Sequence, residues 1–511
     1  MTTFNLADLW ETLCDAGPDA GCLVAGPVRH TRRSLDEAAN QVAHTLGVEP
    51  GTRVGIYSRN RAEYVEALLG CWKAGAVPVN INWRYTLDEL RYVADDAELE
   101  VMMVEDEYVA MVENLDIRQT IPLGSWAGAD ASRIGFEKVP RSGDDLYVLY
   151  TGGTTGMPKG VMWRHEDFFY ACVLGGNPLD PIKQPGDIAR NATGAGFPMD
   201  PLVLGPLMHG GGQWLTLICM YAGGKAILYT ERSFDAEKVF DLVARERATS
   251  IGIIGDAMAR PLAEAALANP GRWDLASLVT LGNGGAMLSG AVKGQLHDAF
   301  PNALVNDSYG ASETGAAGSE IGASGGDRPA FTADERTSVL DPDTLEASPP
   351  GVEGLFARRG YIPLGYWKDD AKTAATFRTD ANGVRWVLPG DRAVRDEQNR
   401  IVLYGRGSGC INTGGEKVFP EEVEAAIRAH PDVFDAVVVG APDERFGQKV
   451  VALVALRDGA PELTLDALRE HCRKRIAGYK APNALILGEA PRTNVGKPDY
   501  ATATRIAAER L

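Results

Sequence analysis

Basic residues are scarce relative to acidic ones in this chain. Its 511 residues include 51 Lys and Arg against 69 Asp and Glu, which gives a formal net charge of -18. Proteins that bind nucleic acid or anionic membranes usually show the opposite balance, because Lys and Arg neutralise the phosphates of those partners. The composition therefore disfavours both partners, although a local basic pocket for a small anion stays open.

The chain also lacks paired cysteines, a leader-like start and a long apolar run. Its seven cysteines are scattered without a C-x-x-C pair, which favours reduced thiols and a cytoplasmic protein. The start "MTTFNLADLWETLCDAG" has no basic segment before an apolar one, so no signal peptide is predicted. The most apolar stretch, "QWLTLICMYAGGKAILY", is interrupted by Gly223, Gly224 and Lys225, and no integral membrane segment is predicted.

Alternating strand-like and helical patterns predict an α/β protein. "RVGIYS" (53–58), "AEYVEALLGCWKAG" (62–75) and "AVPVNIN" (76–82) predict a strand, a helix and a strand. The same order returns at "KAILY", "DAEKVFDLVARERA" and "SIGIIG". Such alternation is typical of parallel sheets covered by helices. The run 315–326, rich in Gly, Ser and Ala, is expected to be a surface loop.

The pattern changes near residue 405. There a strand and a Gly-rich crossing precede a helix that begins at Pro420, and strands and a helix follow at "FDAVVVGAPD", "KVVALVAL" and "LTLDALREHCRKRI". A chain of this length exceeds the roughly 250–300 residues at which one core stops growing. We predict two domains: a large N-terminal domain of stacked α/β subdomains (1–406) and a small, mobile α+β C-terminal domain (407–511).

The segment "LYTGGTTGMPKGVMW" (149–163) predicts a phosphate-binding loop. Its hydroxyls, open backbone amides and one cation can all donate hydrogen bonds to phosphate oxygens. The residues concerned are Thr151, Gly152, Gly153, Thr154, Thr155 and Lys159. A P-loop is disfavoured because Gly160, rather than Ser or Thr, follows the lysine, and the kinase glycine pattern is absent. A Gly-rich turn without a ligand is the structural alternative.

The same segment resembles the phosphate-binding signature of the adenylate-forming superfamily, which includes acyl-CoA synthetases, luciferases and carrier-loading adenylation domains. Other segments resemble the remaining family motifs, in order, across nearly the whole chain. They are "PLMHGGGQW" (206–214), "GNGGAMLS" (282–289), "NDSYGASETG" (306–315), "GYWKDDAKTAATF", "LPGDRAV", "YGRGSGCINTGGEKVFPEEVE" and "PRTNVGKPDY". The resemblance implies ATP, Mg²⁺ and coenzyme A as cofactors.

This resemblance also implies an adenosine site. The residues it assigns there are Gly284, Gly285, Ala286, Asp307, Tyr309, Gly310, Asp391 and Arg406. The Tyr309 ring is suited to stacking on adenine, with a buried core tyrosine as the alternative. The Asp391 carboxylate can accept from both ribose hydroxyls, while Arg406 assists on the ribose or phosphate side.

The catalytic residues implied by the resemblance are His209, Glu313, Thr314 and Lys497. Glu313 corresponds to the carboxylate that holds Mg²⁺ between the ATP phosphates, and Thr314 is expected to reach the α-phosphate. Lys497 corresponds to the lysine that bridges the acyl carboxylate and the α-phosphate while pyrophosphate leaves. His209 corresponds to the histidine beside the acyl carboxylate, with a satisfied core histidine as the alternative.

The second half of the expected reaction requires the C-terminal domain to move. Gly414 and Gly415 carry no side chain, so the thin pantetheine arm of CoA could pass close to their backbone. Many relatives have an acidic residue two positions after the hinge arginine, where this chain has Ser408. The neighbouring Gly407 and Gly409 still allow wide torsional change.

The expected function is an ATP-dependent acyl-CoA ligase that activates a hydrophobic carboxylic acid. No Asp, Glu, Lys or Arg lies within 206–214 or 282–289, which disfavours an amino-acid substrate whose ammonium group would need a partner. The motifs look closest to bacterial synthetases for fatty acids and steroid side-chain acids. The alternatives are an adenylating enzyme that loads a carrier protein in trans, a luciferase-like oxygenase, and a non-catalytic nucleotide-binding protein. The oligomeric state stays open, with a homodimer as one candidate.

Overall fold

The computed structural model describes residues 2–135, 138–151, 157–194, 199–286, 288, 290–322, 330–406, 410–457, 459–492 and 498–511. The side chains of Arg406, Glu421 and Ala425 are outside this description. The predictions for Gly152, Gly153, Thr154, Thr155, Ser408 and Lys497 also lie outside the described residues.

The helices follow the apolar spacing seen in the sequence. The α-helices of the described residues are α1 (Leu6–Ala16), α2 (Arg32–Leu46), α3 (Ala62–Lys73), α4 (Leu87–Asp96), α5 (Val109–Val112), α6 (His165–Cys172), α7 (Gly210–Tyr221), α8 (Ala236–Glu246), α9 (Gly255–Ala268), α10 (Gly290–Ala299), α11 (Asp370–Thr376), α12 (Pro420–Arg428), α13 (Leu465–Arg473) and α14 (Tyr500–Arg510).

The strands are mostly short. Those of the described residues are β1 (Gly21–Ala25), β2 (Val28–Thr31), β3 (Arg53–Tyr57), β4 (Val77–Ile81), β5 (Val101–Val104), β6 (Gln119–Pro122), β7 (Leu146–Thr151), β8 (Lys159–Arg164), β9 (Pro201–Val203), β10 (Ala226–Leu228), β11 (Ser250–Ile253), β12 (Thr280–Asn283), β13 (Leu304–Ala311), β14 (Gly315–Ile321), β15 (Ala330–Thr332), β16 (Thr337–Leu340), β17 (Glu353–Arg359), β18 (Gly365–Tyr366), β19 (Phe377–Thr379), β20 (Arg385–Val387), β21 (Asp391–Arg395), β22 (Arg400–Arg406), β23 (Ile411–Thr413), β24 (Glu416–Val418), β25 (Val433–Asp443), β26 (Gly447–Leu456) and β27 (Ala484–Leu487).

Two α/β sheets form the first part of the molecule. Their strand orders are β14-β13-β12-β11-β9-β10-β1-β2 and β18-β8-β7-β4-β3-β5-β6, and each has a parallel centre with antiparallel strands at an end. The largest buried cluster combines side chains from both sheets with α1, α2, α3, α6 and α7, so these helices lie between the sheets. The predicted parallel sheets covered by helices are confirmed here.

A third sheet departs from the expected alternation. It is antiparallel, with order β15-β22-β21-β17-β20-β19 and β16 added on β17. The prediction of a loop at 315–326 was wrong for its first residues, since Gly315–Ile321 is strand β14, paired antiparallel with β13. Small residues suit this strand because a side chain at Gly318 would collide with the Phe331 ring, 2.1 Å from an ideal Cβ.

The C-terminal part is a separate α+β layer. Its sheet has the order β24-β23-β26-β25, and β27 adds parallel to β26. Helices α12 and α13 pack on one face of this sheet and α14 packs on the other. The predicted class, an α/β protein with a large N-terminal and a small C-terminal domain, matches this architecture. Within the described ranges, no helix combines the length and the apolar character needed to cross a bilayer.

Candidate active site

The predicted phosphate loop connects two hydrogen-bonded strands. Thr151 ends β7 and pairs directly with Lys159, which begins β8. The ammonium group of Lys159 donates to the carboxylate of Asp369, the residue that caps α11. This hydrogen bond lowers the pKa of the Asp369 carboxyl. The lysine is therefore already held by a carboxylate beside the predicted phosphate site.

Glu313 lies at the turn between β13 and β14 and is largely buried. The hydroxyl of Tyr366 donates to Glu313 Oε1 at 2.9 Å. Strand β18, which carries Tyr366, pairs with β8, and this pairing connects Glu313 to the strand that follows the phosphate loop. A carboxylate in this position fits a magnesium ion that takes most of its other ligands from phosphates and water.

Thr314 is less accessible than expected. Its side chain is completely buried, and its hydroxyl donates to the Gly315 carbonyl at 3.0 Å and accepts from the Ala311 N–H at 2.9 Å. The expectation that it reaches the α-phosphate does not fit this geometry, because the hydroxyl is committed to its own turn. Ser312, on the other side of Glu313, is only half-buried.

The two predicted nucleoside residues contact each other. The Tyr309 hydroxyl donates to Asp391 Oδ2 at 2.8 Å. The Tyr309 ring stacks on Phe331, with centroids 5.7 Å apart and planes inclined by 14°. Arg406 pairs with Asp391 through the β21–β22 ladder, which brings its backbone to the same place. The structure therefore gathers the adenine and ribose candidates into one region.

The Asp307 side chain is buried and contacts other side chains of the protein. Its carboxylate accepts from Asn283 Nδ2 at 2.7 Å and lies 2.8 Å from Lys293 Nζ. Asn283 also donates to the Ala286 carbonyl at 2.9 Å and accepts from the Gly255 N–H at 2.7 Å. Asn283, which the sequence analysis did not single out, therefore ties the predicted adenine segment to its neighbours.

Gly310 is required by the strand geometry itself. The β13–β14 register shifts between Tyr309 and Gly310, and a Cβ at Gly310 would lie 2.6 Å from the Gly315 carbonyl oxygen. This close approach accounts for the glycine without a ligand.

Ile254 marks the place where several predicted segments meet. A Cβ at Gly415 would lie 2.3 Å from Ile254 Cγ2, and one at Gly285 would lie 4.0 Å from the same atom. Gly414 and Gly415 have φ of +58° and +87°, so the turn between β23 and β24 depends on glycine. This turn of the C-terminal domain thus packs directly against the end of β11 in the large domain.

His209 faces the same turn. It precedes α7, and its Nε2 lies 3.3 Å from the Glu416 carboxylate, which also contacts the Arg84 guanidinium. Burial by itself would raise the pKa of the Glu416 carboxyl, but His209 and Arg84 outweigh burial and lower it to about 2. The histidine is therefore held by a charged partner from the other domain.

The glycines after His209 have structural causes. A Cβ at Gly212 would lie 2.4 Å from the Gly205 carbonyl oxygen, and one at Gly210 would lie 2.9 Å from the Trp214 ring. Gly211 alone of the three faces open space. Close packing therefore accounts for Gly210 and Gly212.

Sequence reasoning missed the partners of the predicted residues. Tyr366, Asp369, Asn283 and Glu416 each bind a predicted site residue through its side chain. All four lie within quoted motifs, which is the signal that could have found them. No group of three or more His, Cys, Asp or Glu side chains that could hold a metal ion occurs within the described ranges.

A large α/β domain with clustered nucleoside residues, covered by a small α+β domain, is the architecture of the adenylate-forming enzymes. The chain belongs to the AMP-binding enzyme family. Residues 10–367 match the AMP-binding enzyme model, and residues 422–497 match the model of the AMP-binding enzyme C-terminal domain.

Curated relatives extend over nearly the whole chain. A medium/long-chain-fatty-acid–CoA/3-oxocholest-4-en-26-oate–CoA ligase of Mycolicibacterium smegmatis is 43% identical over 99% of this chain and 97% of its own. A 3-oxocholest-4-en-26-oate–CoA ligase of Rhodococcus rhodochrous is 42% identical over 97% of this chain and 94% of its own.

Solved structures share the fold. The amide bond synthetase McbA of Marinactinospora thermotolerans gives a TM-score of 0.79 at 24% identity, over 98% of this chain and 99% of its own. ATP-bound MatB of Rhodopseudomonas palustris gives 0.66 at 26% identity, over 98% of each chain.

Proposed function

We propose that this chain is an AMP-forming acyl-CoA ligase that activates a medium- or long-chain fatty acid or a steroid-type acid. The observation that carries the proposal is the convergence of His209, Ile254 and the Gly414–Gly415 turn, where the two domains meet. An acyl-adenylate and a thiol have to meet at one place, and this turn leaves only backbone there. The fatty-acid and steroid-acid ligases among the relatives support the substrate class.

In the first step, a carboxylate oxygen of the acid attacks the α-phosphorus of ATP and pyrophosphate leaves. The obstacle is the meeting of two anions, and the protein lowers it with positive charge and fixed geometry. Lys159 contributes by exchanging Asp369 for a phosphate oxygen, and Lys497 bridges the reacting carboxylate and the α-phosphate. Glu313 would hold Mg²⁺, and the ion would supply further charge neutralisation. Ser312, rather than Thr314, is the hydroxyl offered to the phosphate.

In the second step, the thiol sulfur of CoA attacks the acyl carbonyl, a proton is released and AMP leaves. Lys497 has to withdraw from the site for this step, which requires the two domains to rearrange. We place the domain boundary at 406/407. Supporting this boundary, the buried clusters before it end at Leu403, and those after it begin at Ile411. A cytoplasmic location and a homodimer remain predictions, testable by fractionation and by mass measurement in solution.

A carrier-loading enzyme is the second candidate. It is favoured by one relative, the fatty acid–[acyl-carrier-protein] ligase ScoC of Streptomyces coeruleorubidus, which is 30% identical over 91% of this chain and 89% of its own. Such an enzyme would share the first step and pass the acyl group to a phosphopantetheinyl protein instead of free CoA.

Mass spectrometry of reactions with ATP, Mg²⁺ and a panel of carboxylic acids, with and without CoA, tests the proposal. We expect acyl-CoA and AMP from fatty or steroid-type acids and no product from amino acids. Adenylate that accumulates without thioester would overturn the ligase and favour the carrier-loading enzyme. No product from any acid, despite ATP binding, would favour a non-catalytic nucleotide-binding protein.

Lys497→Ala tests the catalytic lysine. We expect pyrophosphate release to be nearly abolished while ATP binding is retained, because the lysine acts mainly on the charge of the transition state. Pyrophosphate release at the wild-type rate would refute the assignment. Lys449→Ala, which removes a half-buried lysine of β26, serves as the matched control.

A further inference from the structure

A buried ion cluster crosses the boundary between the two domains. Lys480 Nζ lies 2.6 Å from Glu89 Oε1 and 2.5 Å from Glu422 Oε1. The three side chains are only 3–7% exposed. Glu89 belongs to α4 of the large domain, whereas Lys480 and Glu422 belong to the small domain. A rearrangement of the domains would therefore separate Lys480 from Glu89 and leave its pair with Glu422 intact.

The surroundings of this cluster exclude water. The Lys480 ammonium lies 6.0 Å from the centre of the Tyr85 ring and 5.7 Å from that of Tyr479. Burial raises the pKa of both phenols well above its usual value, so both rings are neutral near pH 7. In such a buried site, removing one member of an ion pair is costly because it leaves a charge uncompensated.

Contacts within the large domain hold the Glu89 side chain. Glu89 is the third residue of a capping box, and its Oε2 accepts from the Thr86 N–H at 2.8 Å and from the Thr86 hydroxyl at 3.0 Å. The other oxygen, Oε1, is the one that meets Lys480. The large domain thus presents one fixed carboxylate oxygen to the small domain.

The same segment of the large domain makes the second ionic contact with the small domain. Arg84, five residues before Glu89, pairs with Glu416, and Glu416 in turn contacts His209. Glu416 directly follows the Gly414–Gly415 turn that packs on Ile254. The segment 84–89 therefore fixes the small domain in the arrangement that brings this turn to His209.

We propose that Glu89 and Lys480 are positioning residues that hold the small domain in the thioester-forming arrangement, and that formation of the acyl-adenylate does not need their contact. The proposal rests on the proposed function, because it assigns the contact to one of its two half-reactions. The new element is that the Glu89–Lys480 contact stabilises the thioester-forming arrangement relative to the adenylate-forming one.

Glu89→Gln is the sharpest test. Glutamine is also accepted at this position of a capping box, so the substitution removes the charge seen by Lys480 while the helix start is kept. We expect thioester formation from isolated acyl-adenylate to slow at least about tenfold, because the substitution removes the ion pair of this cluster that joins the two domains and leaves Lys480 with Glu422 of its own domain. Pyrophosphate release in a single turnover should stay within twofold of wild type, and the unfolding midpoint should not change.

Two further variants serve as a negative and a positive control for Glu89→Gln. Asp88→Asn removes the neighbouring carboxylate, which is 79% exposed and pairs only with Arg91 among the described residues, and it should change neither half-reaction. Gly415→Val should block the second half-reaction, since even its Cβ would lie 2.3 Å from Ile254. Equal slowing of both half-reactions by Glu89→Gln, or no slowing of the second, would overturn the proposal.

The double variant Glu89→Gln/Lys480→Gln asks whether the two residues act through each other. If they do, the second substitution adds much less than its own single effect. Independent, multiplying effects would contradict a shared contact.

A wild-type protein that forms adenylate but no thioester would refute the proposed function and leave this proposal testable. Small-angle scattering then measures the domain arrangement directly. Glu89→Gln should give a larger radius of gyration than wild type and Asp88→Asn, and identical radii would refute the proposal.

Discussion

Two buried lysines of this molecule have nearly the same surroundings. Lys293 lies 2.8 Å from Asp307 and 3.1 Å from Glu320, with its side chain 3% exposed. Lys480, 4% exposed, lies between Glu89 and Glu422 at 2.6 and 2.5 Å. Each ammonium group lies between two carboxylates and is buried with them.

The difference lies in what connects the carboxylates. Asp307 and Glu320 are directly opposed on the paired strands β13 and β14, where like charges destabilise a sheet unless a cation separates them. Glu89 and Glu422 lie in different domains. The same kind of cluster thus lies within one sheet in the first case and joins two domains in the second, where we propose that it is a reversible contact.

Lys293→Met should have the largest effect. It removes the cation that lies between two opposed, buried carboxylates, and breaking such a cluster costs about 3–5 kcal/mol of unfolding free energy. Urea denaturation followed by tryptophan fluorescence measures it. All nine tryptophans precede residue 406, so the signal reports the large domain.

Lys238→Met is the control for that experiment. Its ammonium pairs with Glu231 at the surface, where the side chain is 53% exposed, so a far smaller change is expected. Equal destabilisation by the two variants would show that burial does not distinguish the pairs.

Individual helices could be predicted from the sequence, but the ion pairs between distant residues could not. The 3.6-residue spacing predicted α3, and the proline with acidic residues predicted the start of α12, because these signals are local. Glu89 and Lys480 are 391 residues apart, and nothing in either segment indicates the other. The Lys159–Asp369 pair, separated by 210 residues, was missed for the same reason.

The motifs predicted which residues belong to the candidate site, but they predicted few of the contacts that these residues make. The motif order pointed to Tyr309 and Asp391, and these two do meet. The motif could not tell which hydroxyl beside Glu313 is buried, since that depends on how the turn closes. Strand β14 was mistaken for a loop because its composition is that of a loop, whereas its hydrogen bonds come from β13.

Lys480→Met should leave the large domain stable and loosen the contact between domains. The charge on Glu89 can return to water when the domains separate, so the variant avoids the penalty that Lys293→Met cannot escape. We expect the tryptophan-detected unfolding free energy to change by less than about 1 kcal/mol. The radius of gyration from scattering should increase. A large loss of stability without a change in radius would make the two lysines equivalent.

The contact between domains should also weaken as pH rises. Burial, helped by Glu89 and opposed by Lys480, raises the pKa of the Glu422 carboxyl from 4.5 to about 7. The associated state therefore holds a proton that the separated state releases, so association weakens as pH rises toward about 7 and changes little above it. Tyr85 and Tyr479, which face the same cluster, stay neutral across this range.

Scattering between pH 5.5 and 8 measures this dependence. The radius should grow toward pH 7 and then level off, and Glu422→Gln should flatten the curve. An unchanged curve in that variant would assign the titration to another group.

Glu320→Gln should have the smallest effect on the unfolding free energy. It tests the Lys293 cluster by removing a carboxylate instead of the lysine. It removes one of the two carboxylates around Lys293, which stays paired with Asp307 at 2.8 Å, and it relieves the repulsion between opposed strands. The weakened hydrogen bond and the relieved repulsion oppose each other, so a change of at most about 1 kcal/mol in unfolding free energy is expected. Urea denaturation beside Lys293→Met measures it. A loss as large as that of Lys293→Met would mean that Glu320, and not the balance of charge, sets the stability of this cluster.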